Sequence, residues 1–139
     1  MSGLSDFNGQ VIEEFRANNG AVGGFFAHAH VALLHHVGRR SGQERITPLI
    51  YLPDEGAYVL MGSAGGAPKT PEWFLNVEAA DVVTIEVGDR TITTRPTIVR
   101  HGPEWLRLYT RFTRYWPDIH TYEEKTERRF PLARLEPVG

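Results

Sequence analysis

The sequence predicts an α+β fold, a small antiparallel β-barrel with helices packed against its outside. Three observations predict it. Five or six apolar or alternating runs have strand length. Close turn signals, Pro53-Asp54-Glu55-Gly56 and Gly88-Asp89, join two pairs of them as antiparallel hairpins require. The helical patterns do not alternate regularly with the strands, which disfavours a doubly wound parallel sheet. A barrel also removes the open edges that a small sheet would otherwise expose.

The elements follow in order. Residues 1–7 are expected to form a flexible lead into a single domain that spans residues 1–139. Asn8 is a good N-cap, and Val11, Ile12 and Phe15 fall on one face of the helix that follows. Asn19-Gly20 stops that helix. Val31 to Val37 is an apolar run broken only by His35 and His36, as in a buried strand. Ile46 to Leu52 continues the pattern, with Pro48 confined to an edge or a bulge because it cannot donate to a ladder. Tyr58 to Met61 is a third strand. Thr70-Pro71-Glu72 opens a helix with a capping hydroxyl, proline at the first position and an acid at the positive dipole end. Val83, Ile85 and Val87 alternate with polar neighbours, and Thr91 to Val99 returns from the Gly88-Asp89 turn. Gly102-Pro103-Glu104 opens another helix, on which Trp105, Tyr109, Phe112 and Trp116 form a core-facing stripe. Arg107, Arg111 and Arg114 share a different face, read as solvated. A short helix near Thr121 to Thr126 and a strand near Leu132 to Leu135 complete the chain.

Composition narrows the function. The chain has 139 residues and no cysteine, so disulfides, thiolate metal sites and cysteine nucleophiles are excluded. Six histidines give no compact metal pattern, and no metal site is expected. A net charge of −2 gives no global reason to expect nucleic acid. The start MSGLSDFNGQ lacks the basic and apolar regions of a secretory signal, and no run reaches the length of a membrane span, so a cytoplasmic location is expected. Of the 15 basic residues only Lys69 and Lys125 are lysine. This reflects either an arginine-favouring genome or bidentate anion recognition.

Two segments can carry chemistry. Gly38-Arg39-Arg40-Ser41-Gly42-Gln43-Glu44-Arg45 gathers three guanidinium groups, a hydroxyl and glycine amides in one turn. Such a turn is either a solvated hairpin tip or a seat for a phosphate or carboxylate. Gly62-Ser63-Ala64-Gly65-Gly66-Ala67-Pro68 leads into the helix of Trp73, Phe74 and Asn76. It is either a connector or a set of backbone donors for an anionic or carbonyl-bearing ring. Neither matches a P-loop or a dinucleotide fingerprint. Tyr122 can orient a substrate or donate a proton, or simply sit at the surface.

Taken together and in order, these segments resemble the deazaflavin-dependent nitroreductase family, reductases that use coenzyme F420 and have a split β-barrel of the FMN-binding split-barrel type. The resemblance runs from about Asn8 to Val138. It is carried by Phe15-Arg16-Ala17-Asn18 with Gly23-Gly24, the 38–45 turn, Pro48-Leu49, Ser63 to Pro68, and Pro71 to Asn76. Tyr122, Lys125-Thr126, Arg128 and Phe130-Pro131 complete it.

The resemblance implies hydride transfer from reduced F420 to an electron-poor small molecule such as an enone, quinone or nitro compound. It implies that Arg39, Arg40, Ser41, Gly42 and Arg45 hold the coenzyme's phosphate and poly-glutamate tail. Ile46, Thr47, Pro48 and Leu49 would line the ring, and Met61, Gly62, Ser63, Ala64, Gly65 and Gly66 would face the ribityl and phosphate portion. Trp73, Phe74 and Asn76 would close the pocket, with Tyr122 at the open ring face. Relatives commonly carry lysine at the position of Ala64, and often an aromatic where this chain has Ile50. FMN is the alternative coenzyme, and a non-catalytic carrier of the coenzyme or of an apolar ligand is the alternative role. Either a monomer or a homodimer fits the sequence.

Overall fold

The computed structural model describes residues 3–138. Helix α1 spans Gly3–Ala17. It therefore begins five residues before the expected cap at Asn8, and residues 3–7 of the expected flexible lead are helical. Met1 and Ser2, the rest of that lead, lie outside the described residues. Asn8 is tolerated inside the helix because an N-capping side chain is only a preference, with a cost mid-helix of about 0.7 kcal/mol at most. Val11 and Phe15 are buried. The helix ends where Asn19 and Gly20 take positive φ and the Gly20 amide bonds the Phe15 carbonyl at 2.8 Å.

Seven strands follow: β1 (Val31–Val37), β2 (Glu44–Ile50), β3 (Leu52–Asp54), β4 (Ala57–Met61), β5 (Val83–Val87), β6 (Arg90–Val99) and β7 (Leu132–Pro137). The run expected as one strand over 46–52 is divided at Tyr51. All neighbours are antiparallel, in the order β2-β1-β5-β6-β7-β4-β3. The two edge strands are thus consecutive in sequence and separated by Tyr51 alone, whose amide bonds the His30 carbonyl at 3.0 Å. One extended segment pairs with β1 through its first half and with β4 through its second. It draws the two edges of the curled sheet together, which is how a short sheet escapes open edges. Pro48 lies on edge strand β2, where its missing donor costs no ladder bond to a second neighbour. The two-residue Gly88-Asp89 turn joins Val87 to Arg90, as expected.

The period-2 alternation of the strands sorts the core. Ala32, Leu34, Leu60, Ile85, Ala133 and Leu135 meet in one cluster. Strands from both ends of the sheet contribute, so this is the concave face. The opposite face divides into two clusters, as a convex surface must. Val31 and Leu33 pack under α1 with Val11 and Phe15. Val59, Met61 and Leu132 pack under α3 (Gly102–Tyr115) and α4 (Asp118–Glu123) with Leu108, Phe112 and Ile119. Helices α1, α3 and α4 therefore lie outside. Helix α2 (Glu72–Ala79) differs, because its Phe74 and Val77 enter the concave cluster. No described helix is long and apolar enough to cross a membrane.

Three local expectations are corrected. Thr70 does not cap α2. Pro71 occupies the cap position, and its carbonyl accepts from the Phe74 amide at 3.1 Å. Helix α4 starts at Asp118, directly after the proline that ends α3, rather than near Thr121. The arginine face of α3 is not simply solvated. Asp54, at the β3–β4 turn, is 0% exposed. It accepts from Arg107 at 2.9 and 3.0 Å, from Arg134 at 2.9 Å, and from Arg111. Hydrogen bonds from Arg107 and Arg134 hold its carboxyl well below the usual range despite burial. Two of the three residues expected to face water thus pin α3 to the hairpin.

Candidate functional site

A cavity of about 230 Å³ opens among strands β2 and β4, the glycine-rich loop and helices α3 and α4. Pro48, Leu49 and Ile50 of β2 and Leu60 and Met61 of β4 form one wall. Phe26, Phe112, Trp116 and Ile119 form an apolar wall, while Ser63, Ala64, Gly65, Trp73 and Tyr122 complete the lining. No charged side chain lines it among the described residues. Flat apolar matter fits such a slot.

The glycine-rich loop adds main-chain polar groups. Ser63 is in the right-handed region (φ −82°, ψ −35°), and Ala64 and Gly65 follow with φ of +48° and +63°. A right-handed residue followed by a left-handed one aims successive N–H groups into a shared concavity that favours anions. The amides of Ser63, Ala64 and Gly65 make no hydrogen bond to the described residues. Their neighbours do: Gly62 donates to the Pro131 carbonyl at 2.8 Å and Gly66 to Ser63 at 2.9 Å. Gly66 is irreplaceable on steric grounds, since it has φ +90° and a Cβ there would lie 2.3 Å from the Tyr122 carbonyl oxygen. This contact seats the loop on α4.

Behind the loop stands Arg128. Its Nε donates to the Ala67 carbonyl at 2.8 Å, Nη1 to Gly62 at 2.9 Å and Nη2 to Ser63 at 2.8 Å. Its guanidinium also lies 4.9 Å from the centroid of the Phe130 ring. Burial pulls its pKa down, and no carboxylate pairs with it among the described residues.

The arginine turn carries a different network. The Arg39 amide donates to Asn76 Oδ1 at 3.1 Å, and its Nη1 donates to Asn76 Oδ1 at 3.0 Å and to Glu72 at 2.6 Å. Asn76 Nδ2 donates to Nδ1 of buried His36 at 3.0 Å, which leaves Nε2–H to donate to Thr47 Oγ1 at 2.9 Å. Burial, then the nearby Arg45 and His35 charges, pushes the His36 pKa down, so the ring is held neutral. This chain locks the turn to β1, β2 and α2. Arg40 and Arg45 are exposed and make no ion pair with the described residues.

The residues singled out in the sequence therefore separate. Pro48, Leu49, Met61, Ser63, Ala64, Gly65, Trp73 and Tyr122 line the cavity. Arg39, Thr47 and Asn76 form the network beside it. Arg40, Ser41, Gly42 and Arg45 are exposed on the turn and the start of β2, and Ile46 packs under α1. Phe74 is 0% exposed in the concave core and Gly62 is held by Pro131. Leu60, Phe26 and Ile119 line it without any signal in the sequence, and Phe112 and Trp116 line it because one aromatic stripe serves both core and cavity. Tyr122 lines the cavity, and its hydroxyl has no hydrogen-bond partner among the described residues. Tyr109, by contrast, donates to Glu123 at 2.6 Å, and burial together with that bond pushes its pKa up to about 12.

A family model described as F420H(2)-dependent quinone reductase matches residues 9–137. An F420H(2)-dependent quinone reductase of Mycobacterium tuberculosis is 33% identical over 125 residues, covering 87% of this chain and 83% of the relative. The solved structure of an F420-H2 dependent reductase, FDR-A, is 29% identical with a TM-score of 0.68, covering 76% of this chain and 93% of that one. Another solved structure, described as a domain-swapped dimer, is 25% identical with a TM-score of 0.71, covering 97% of this chain and all of that one.

Proposed function

The chain belongs to the F420H(2)-dependent quinone reductase family, and from that premise we propose how its residues use the coenzyme. It is an oxidoreductase whose cofactor is F420. The observation that carries the site proposal is the union of an uncharged slot with three unpaired amides, Ser63 to Gly65, at its rim. An apolar ring system carrying an anionic phosphate has this same division of character, so the residues present fit the group.

When bound, the reduced coenzyme supplies the hydride. The protein supplies placement. Pro48, Leu49 and Met61 would hold the ring. The 63–65 amides take the phosphate, while Arg40 and Arg45 attract the tail. Arg39 contributes less, because Glu72 and Asn76 already engage it. The aromatic wall of Phe112 and Trp116 stacks a flat, uncharged, electron-poor acceptor, for which a quinone is the best match, and excludes water from the transfer. Tyr122 would give its phenolic proton to the acceptor that has taken the hydride, and regain one from water.

Titration with F420 and FMN, followed by turnover with a quinone, tests the reading. F420 is expected to bind at least tenfold more tightly than FMN, and Tyr122→Phe to cut turnover by roughly tenfold or more with F420 affinity nearly unchanged. Equal binding of FMN overturns the coenzyme assignment. Loss of affinity with normal turnover overturns the role of Tyr122.

A further inference from the structure

Arg128 lies outside the cavity lining, yet it touches the glycine-rich loop that lines the cavity. Each of its three nitrogens donates to a main-chain carbonyl, those of Gly62, Ser63 and Ala67. A peptide unit is planar and trans, so its carbonyl and the next residue's N–H point in opposite directions. The carbonyls of Gly62 and Ser63 face the guanidinium. The N–H groups of Ser63 and Ala64, which belong to the same two peptides, therefore face away from it. Those are two of the three amides that make no bond within the described residues.

We propose that Arg128 is a positioning residue for the coenzyme's phosphate, orienting and polarising the Ser63 and Ala64 peptides so that their amides converge on it from the opposite side. This rests on the reading that these amides take the phosphate. A cation at the carbonyl end of a peptide strengthens the donor at the other end. It also holds Ala64 at a positive φ that alanine seldom adopts unaided. The arrangement gives the loop a positive character without a lysine at position 64. Because the guanidinium sits behind the peptides, it is not displaced when an anion arrives.

The experiment compares Arg128→Met and Arg128→Lys with the wild type, using two probes that differ only by a phosphate: the ribityl deazaflavin and its 5′-phosphate. Binding of each is titrated by fluorescence, and thermal melting establishes that each variant is folded. The wild type is expected to prefer the phosphate form. In Arg128→Met that preference falls by roughly tenfold while affinity for the phosphate-free probe stays within about twofold. In Arg128→Lys, where an ammonium can meet some but not all of the three carbonyls, it falls by an intermediate factor. The lysine variant carries the test if the methionine variant does not fold. Equal weakening of both probes means that Arg128 only staples the loop, and overturns the proposal. Undiminished preference for the phosphate form in both variants overturns it as well, while leaving the phosphate placement standing. A wild type with no preference for the phosphate form overturns the placement and the proposal together.

Discussion

Two regions of this molecule are built from the same side chain and put it to opposite uses. Around Asp54, Arg107, Arg111 and Arg134 converge on one buried carboxylate, tying α3 and β7 to the β3–β4 hairpin. On the 38–45 turn, Arg40 and Arg45 stand exposed with no ion pair among the described residues. What separates them is the partner. A guanidinium already satisfied by an internal carboxylate has little left for a ligand, whereas one without a partner keeps its charge and its fork available.

The contrast breaks most visibly at Asp54. Asp54→Asn leaves three guanidinium groups facing a neutral amide. Removing one partner of a buried pair costs about 3–5 kcal/mol. The low end, about 3 kcal/mol, applies here because Arg107 and Arg111 remain 40% and 44% exposed. Urea unfolding should register this loss, while F420 affinity of the folded variant stays unchanged. The pH response follows from the depressed carboxyl. Its contribution is complete above the ordinary aspartate range, about pH 4, and drains as pH falls through the lowered native value. The asparagine variant should lack that part of the acid limb. A stable variant with weakened coenzyme binding would erase the distinction between the two regions.

The opposite result is expected on the turn. Arg40→Ala with Arg45→Ala should leave unfolding unchanged and weaken F420 binding. Both side chains are solvated, so each contact is worth about 0.5–1 kcal/mol, or roughly 5- to 30-fold together. The loss should shrink as salt rises, because exposed charges are screened. Isothermal titration at two ionic strengths measures both effects. Unchanged affinity at low salt would leave the turn without its assigned task.

Distance along the chain explains why composition and spacing could not tell these arginines apart. The run Val31 to Val37 was bounded correctly, and the Gly88-Asp89 turn was placed correctly, because alternation and turn chemistry are local. The glycine-rich loop and the arginine turn were also visible, since both are dense in unusual residues. Asp54 and Arg107, however, lie 53 positions apart, and Arg128 lies 61 to 66 positions from the carbonyls it holds. No periodicity reports such a pair. Arg107 and Arg111 therefore read as an ordinary solvated stripe, and Arg128 carried no assigned role. The early start of α1 and the late cap of α2 were missed for a different reason: capping preferences are about 1 kcal/mol, which tertiary packing readily overrides.

Between the two regions lies a third arrangement, the chain Arg39–Asn76–His36–Thr47, and pH sharpens its place. His36 is held neutral chiefly by burial, so its native pKa lies below the ordinary value. For a depressed group the stability is fully present above the unfolded pKa, near 6.5. It decreases as pH falls from there toward the native value, because the unfolded chain takes up the proton first. The slope cannot exceed about 1.4 kcal/mol per pH unit. Unfolding measured from pH 7.5 to 5.5 should show this decline, and His36→Gln should flatten it. An identical slope in that variant would assign the effect to another histidine.

The smallest expected effect is the most discriminating, because it converts one kind of arginine into the other. Glu72 stands in the first turn of α2, and its bond with Arg39 holds its pKa low, so it remains a carboxylate across the working range. Glu72→Gln removes that charge while Asn76 still holds the Arg39 backbone. The turn therefore keeps its shape and gains one guanidinium released from its carboxylate. If availability rather than proximity decides which arginines serve the coenzyme, F420 should bind somewhat more tightly to this variant, and the gain should vanish at high salt. The loss of a favourable helix-dipole charge should lower the melting temperature slightly at the same time. Tighter binding with slightly lower stability is the opposite pairing to that expected at Asp54. Weaker binding would mean that Glu72 holds Arg39 in place for the ligand, so that a paired arginine can serve after all.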